Sequence, residues 1–97
     1  MAKGYWVAHV DVENMDTYKK YVAGNAAAMT EFGARFLVRA GEQQVREGTV
    51  RQRTVVVEFD SYETAIACYE SISYQQAKAI RDPVSTGDMV IIRGYDG

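Results

Sequence analysis

Apolar residues along this chain recur alternately with a period of two and a period near 3.6, the signatures of strand and helix. Residues 5–12, YWVAHVDV, alternate. Trp6, Ala8, Val10 and Val12 form one face, and Tyr5, Val7, His9 and Asp11 the other. Asn14 is placed to cap a helix running to about Phe32. Tyr18, Tyr21, Val22, Met29 and Phe32 make its apolar stripe, with Asn25 inside it, and Gly33 suits the left-handed position that ends helices. Residues 34–40, ARFLVRA, predict a second strand, in which Phe36 and Val38 alternate with Arg35, Leu37 and Arg39. Gly41 and Gly48 bracket EQQVRE, read as a short polar strand or hairpin arm.

The central stretch is residues 53–71, RTVVVEFDSYETAIACYES. TVVVEF is rich in β-branched residues and almost continuously apolar, as in a strand covered on both faces. Asp60 and Ser61 offer oxygens to the first turn of a helix, and Glu63 follows Asp60 by three, a capping-box pattern. Tyr62, Ala65, Ile66 and Tyr69 then recur at helical spacing. Ser73 with Gln76 predicts a further short helix to about Arg81. A loop around Pro83–Gly87 leads to a last strand over residues 88–95.

The order β-α-β-β-α-β defines an α+β, ferredoxin-like plan in a single domain, residues 1–97. Right-handed crossovers put the first and third strands in the centre of an antiparallel sheet, with helices on one face. The expected helix-covered set is Trp6, Ala8, Val10, Phe36, Val38, Val55, Val57, Phe59, Met89 and Ile91. The opposite face then holds Tyr5, Val7, Leu37, Val56, Val90 and Ile92 beside His9, Arg35, Arg39 and Glu58. So many large apolar side chains do not suit a solvated face. A second copy of the sheet would cover them, so a homodimer with facing sheets is expected.

Composition narrows the function classes. The chain has 97 residues and a formal charge of −2, with its basic residues scattered, so no nucleic-acid surface is indicated. Cys68 is the single cysteine, which precludes an internal disulfide and fits a reducing, cytoplasmic setting. No run predicts a signal peptide or a membrane span. One histidine, one cysteine and dispersed acids give no metal-ligand spacing, and the glycines stand singly rather than in a phosphate loop. No metal and no cofactor are expected.

The segments GYWVAHVDV, YKKYVAGNAAA, ARFLVRAGE, VREG, RTVVVEFDSYETAIACYES and SYQQAKAIR resemble the bacterial family of domain of unknown function 1330, over nearly the whole chain. The resemblance implies membership of the dimeric α/β-barrel superfamily, in agreement with the face argument. Relatives there include cofactor-free monooxygenases, small lyases and isomerases, haem-dependent enzymes and ligand-binding modules. A shared fold does not select among them.

Candidate chemistry is spread over a few residues. His9, the only histidine, is a candidate general base or lone haem ligand, or else a half-buried hydrogen-bonding residue. In the expected topology His9 and Arg39 lie near one end of the sheet about 10 Å apart, as two walls of a small anion pocket. Arg39 and Arg53 have forked donors for a carboxylate or phosphate, or for an ion pair with Glu47, Glu42 or an acid of a second copy. Glu58 on a central strand is either a base with a raised pKa or the partner of an arginine. Tyr18 and Tyr74 belong to a set of tyrosines that would line a cleft or fill the core with a wet tip. Asn25, if buried, needs a partner from backbone, water or ligand. Cys68 has no activating neighbour and reads as packing.

These features support a small-molecule-binding protein with its pocket between sheet and helices, contacted by His9, Arg39, Arg53, Tyr74, Tyr18 and Asn25. The alternatives are a cofactor-independent enzyme, monooxygenase-like or a small lyase or isomerase, with His9 or Glu58 as base, and a dimeric scaffold without ligand.

Overall fold

The computed structural model describes residues 2–96. The elements are β1 (Gly4–Val12), α1 (Met15–Glu31), β2 (Arg35–Arg39), β3 (Arg53–Phe59), α2 (Tyr62–Glu70), α3 (Ile72–Arg81), a 3-10 turn (Asp82–Val84) and β4 (Ser85–Arg93). The strands form one antiparallel sheet in the order β2-β3-β1-β4, with β1 and β3 central. The fold is the α+β ferredoxin-like plan. Its shortest dimension is 17 Å, the thickness of a sheet plus one helical layer.

Local chemistry explains the boundaries. The Asn14 side chain accepts from the Thr17 backbone N–H and opens α1. At the other end Gly33 adopts φ 65°. Ala34 N–H bonds the Met29 carbonyl at 2.9 Å and Gly33 N–H that of Thr30 at 3.2 Å, a Schellman ending. Ser61, rather than Asp60, caps α2 by accepting from Thr64 N–H. Ser71 ends α2 and caps α3, accepting from Tyr74 N–H while its hydroxyl donates to the Cys68 carbonyl at 2.7 Å. The expected Ser73–Gln76 start is therefore two residues late, because an extended Ser71 satisfies both helix ends. β4 begins at Ser85, before the expected Asp88, because the polar Ser85–Gly87 segment pairs with Val10–Val12 of β1.

One irregularity reassigns two side chains. Arg35 and Phe36 of β2 stand opposite Glu58 and Val57, but Val38 stands opposite Val56 and Arg39 opposite Val55. The extra residue is a β-bulge at Leu37, and it inverts the alternation after it. Val38 moves to the open face and Arg39 to the helix-covered face, the reverse of the strict period-two assignment. The EQQVRE segment is also corrected. It forms neither strand nor hairpin arm but irregular chain. Gln43 Nε2 ties it down by donating to the Arg51 carbonyl at 3.1 Å, as does the Thr54 hydroxyl, which donates to Gln43 Oε1 at 2.6 Å.

The core lies between sheet and helices. Phe59, Val57, Cys68 and Tyr74 are fully buried there. Trp6 packs against Phe59 and Tyr74 with ring centroids 5.1 and 4.8 Å away, and its indole N–H donates to the Ala65 carbonyl at 2.9 Å. This anchors α2 to β1 and satisfies the one polar atom of a buried tryptophan. Burial pushes the Cys68 thiol up to about 12, which suits packing rather than nucleophilic chemistry.

Candidate functional site: an arginine-walled cavity under the helices

A cavity opens between α1, α3 and the helix-covered face of the sheet. Measured for the centres of water molecules its volume is about 40 Å³, several times what a single water needs. Trp6, Val10, Val55 and Val57 form its floor. Tyr18, Tyr21 and Asn25 reach it from α1, and Tyr74 and Arg81 from α3. Arg53 arrives from the first residue of β3 and Arg39 from the last residue of β2.

All three arginines lie over aromatic rings. The Arg39 guanidinium carbon is 4.2 Å from the Phe36 ring centroid, that of Arg53 is 5.4 Å from Tyr18, and that of Arg81 is 5.3 Å from Tyr21. Such stacking orients a guanidinium while leaving its N–H edge free to donate. Neither Arg39 nor Arg53 has a carboxylate within ion-pair distance among the described residues, and Arg53 Nε is buried with no acceptor. Arg81 reaches Asp82 at 3.5 Å and donates to the Tyr74 hydroxyl at 3.4 Å. No aspartate or glutamate lines the cavity. Three positive charges therefore face one small, half-enclosed space.

The tyrosines complete its polar wall. The Tyr21 and Tyr74 hydroxyls are 2.9 Å apart. Burial raises the phenol pKa values of Tyr18 and Tyr74 above the usual 10.0, so both stay protonated and able to donate at neutral pH. Asn25 is 5 % exposed, and its Oδ1 has no hydrogen-bond partner among the described residues.

His9 and Glu58 lie elsewhere. His9 stands opposite Thr54, and Glu58 opposite Tyr5, all on the open face of the sheet. The expected pairing of His9 with Arg39 as two walls of one pocket is overturned, because the bulge carries Arg39 to the other side of the sheet. Thr54 spends its hydroxyl proton on Gln43, so its oxygen accepts from His9 Nδ1 at 3.1 Å. This fixes the Nδ1-protonated tautomer of the neutral ring. Glu58 accepts from Arg35 Nε at 2.9 Å and from the Tyr5 hydroxyl at 3.0 Å. Those donors, Arg35 first, hold its carboxyl below the usual 4.5. A lowered pKa and a filled set of donors are those of a structural ion pair, not of a base awaiting a proton. Neither side chain faces the cavity.

Tyr18, Tyr74, Asn25, Arg39 and Arg53 are thus brought together, joined by Tyr21 and by Arg81. Sequence reasoning missed Arg81. Its only signal was a position seven residues after Tyr74, two turns along the same helix face.

Fold and site together define a ferredoxin-like α+β protein with a basic cavity beneath its helices. The chain belongs to the family described as Domain of unknown function (DUF1330), matched over residues 3–95. No functionally curated protein matches it. Among solved structures it is similar to a protein of unknown function from Rhodopseudomonas palustris, at 9 % identity and TM-score 0.78, covering 99 % of this chain and 85 % of that one. It is also similar to SnoaB, a cofactor-independent oxygenase from Streptomyces nogalater, at 10 % identity and TM-score 0.63, covering 100 % and 97 %. A dimeric ferredoxin-like protein of unknown function from Thermobifida fusca matches at 14 % identity and TM-score 0.61, covering 95 % and 89 %. At these identities the likeness establishes the fold alone. No helix among the described residues is long and apolar enough to cross a membrane.

Proposed function

We propose that the protein binds a small organic anion in the cavity between sheet and helices. One observation carries this reading: Arg39, Arg53 and Arg81 converge on a cavity with no acidic lining residue. The guanidinium groups of Arg39 and Arg53, without a carboxylate partner among the described residues, attract carboxylates and present them with forked donors, and Arg81 adds a third positive charge. A dimeric scaffold without ligand would have its buried polar atoms paired internally, whereas Asn25 Oδ1 and Arg53 Nε have no hydrogen-bond partner among the described residues. A cofactor-independent enzyme, as SnoaB is described, would need a proton acceptor within reach of the bound molecule. His9 and Glu58 are on the other face of the sheet, which supports the binding reading over proton abstraction.

The assembly that fits this reading is a homodimer through the open sheet faces. Val90 and Ile92 there are 56 % and 50 % exposed, and Val7, Val38 and Val56 share their face. A contiguous apolar face of this kind is self-complementary under a two-fold axis, and the Thermobifida fusca neighbour is described as dimeric.

A thermal-shift series with acetate, propionate and benzoate on wild type, Arg53→Gln and Arg81→Gln tests the anion site. An acid present at about a hundredfold its dissociation constant adds about 2.7 kcal/mol of stability. Both variants should lose most of that gain. Equal stabilisation of the variants, or none of the wild type by any acid, would overturn the reading.

A further inference from the structure

We infer that the anion taken by this cavity also carries a hydrogen-bond donor, a hydroxyl or an amine, which is read by Asn25. This inference rests on the anion-binding reading above and goes further by naming the ligand class, a compact hydroxy or amino acid rather than a plain carboxylic acid.

Asn25 sits in the apolar stripe of α1, between Tyr21 and Met29. A helix gains nothing from asparagine at such a position, since asparagine is a middling helix former and an apolar residue would pack better. The side chain is nevertheless nine-tenths buried and lines the cavity, and its carbonyl oxygen accepts from nothing among the described residues. An amide oxygen left unpaired in a buried wall destabilises the protein unless something that occupies the cavity donates to it.

The rest of the cavity wall does not provide that donor. The Tyr21 and Tyr74 hydroxyls bond each other. The guanidinium groups of Arg53 and Arg81 are held over Tyr18 and Tyr21, on rings one to two helical turns before Asn25. The cavity thus has two kinds of open valence. One is cationic, with Arg53 Nε as its buried unfilled donor, and suits a carboxylate. The other is a neutral acceptor and suits O–H or N–H. A plain carboxylate satisfies only the first. An acid with one donor satisfies both, and the cavity volume of about 40 Å³ favours a compact one.

The test measures affinities by calorimetry for two matched pairs, lactate with propionate and 4-hydroxybenzoate with benzoate. Wild type is compared with Asn25→Leu, which keeps side-chain size and removes the acceptor. Thermal unfolding should show that Asn25→Leu folds and melts higher than wild type, since it loses the unpaired oxygen. In wild type the hydroxylated member of at least one pair should bind about tenfold tighter, the worth of one well-made hydrogen bond. In Asn25→Leu that ratio should fall to about one while the plain acid keeps its affinity. Binding of plain and hydroxylated acids with equal affinity to wild type would overturn the inference and leave the anion site standing. A hydroxyl preference that survives in Asn25→Leu would overturn the assignment to Asn25. Absence of binding by all four acids would overturn the anion site and the inference with it.

Discussion

The hydroxyls of Tyr21 and Tyr74 meet at 2.9 Å and tie α1 to α3 over the cavity. They link the two helices that roof the site directly, with the longer Ser73–Glu31 bond at 3.4 Å beside them, and Tyr74 is completely buried. Tyr74→Phe takes from the Tyr21 hydroxyl its partner, and Tyr21→Phe leaves the Tyr74 hydroxyl only the longer bond from Arg81 at 3.4 Å, each at a cost of about 1–3 kcal/mol. The double variant should cost less than the sum of the single ones, because neither orphan then remains. Urea unfolding of Tyr21→Phe, Tyr74→Phe and the pair completes a double-mutant cycle. Strict additivity would mean that the contact contributes nothing.

The open sheet face predicts assembly. Ile92→Asp and Val90→Asp each place a charge in the apolar patch opposite β1. Light scattering should report two chains for wild type and one for the variants at micromolar concentration. An unchanged mass in both variants would place any dimer contact elsewhere.

Acid stability should depend on Glu58. Arg35 and then Tyr5 hold its folded-state pKa below the usual 4.5. The stabilisation is therefore complete above the unfolded-state value and is lost as the pH falls through the lower folded value. Glu58→Gln removes the titration, so its stability should fall less steeply than that of wild type below pH 4.5. Parallel acid-unfolding curves would argue against it.

Gly4 tolerates no side chain. A Cβ there would lie 2.6 Å from the Tyr62 Cα, on backbone that cannot rotate away. Gly4→Ala should cost about 1–3 kcal/mol through forced separation of β1 from α2, seen as a lower melting temperature. Gly41→Ala, with nothing within 4 Å, should leave it nearly unchanged.

Much of the architecture was legible before the fold was known. The two faces of β1 follow from alternation, because the pleat obliges neighbouring side chains to point oppositely, and strand order and helix layer follow from element order and right-handed crossovers. Helix starts were less legible. Asp60 and Ser61 are equivalent by residue type, and only backbone geometry chose Ser61. The site was half legible. Tyr18, Asn25, Arg53 and Tyr74 face the cavity because each sits in a regular element at a readable phase. His9 and Arg39 were paired on one face because alternation was carried unbroken through Leu37.

What the sequence by itself determined is the set of regular elements, their order and the apolar surface that joins them, since these depend on periodicity and right-handed connection. What only the tertiary structure decided is which polar groups share a space. The bulge in β2 lies on an edge strand, where one inserted residue costs little and leaves no mark in the pattern of residue types. It moved Arg39 to the helix-covered face, at the cavity, and left His9 and Glu58 on the other face. The folding of α3 against α1 then brought Arg81 to the same cavity. Long-range packing, rather than local preference, assembled the arginines.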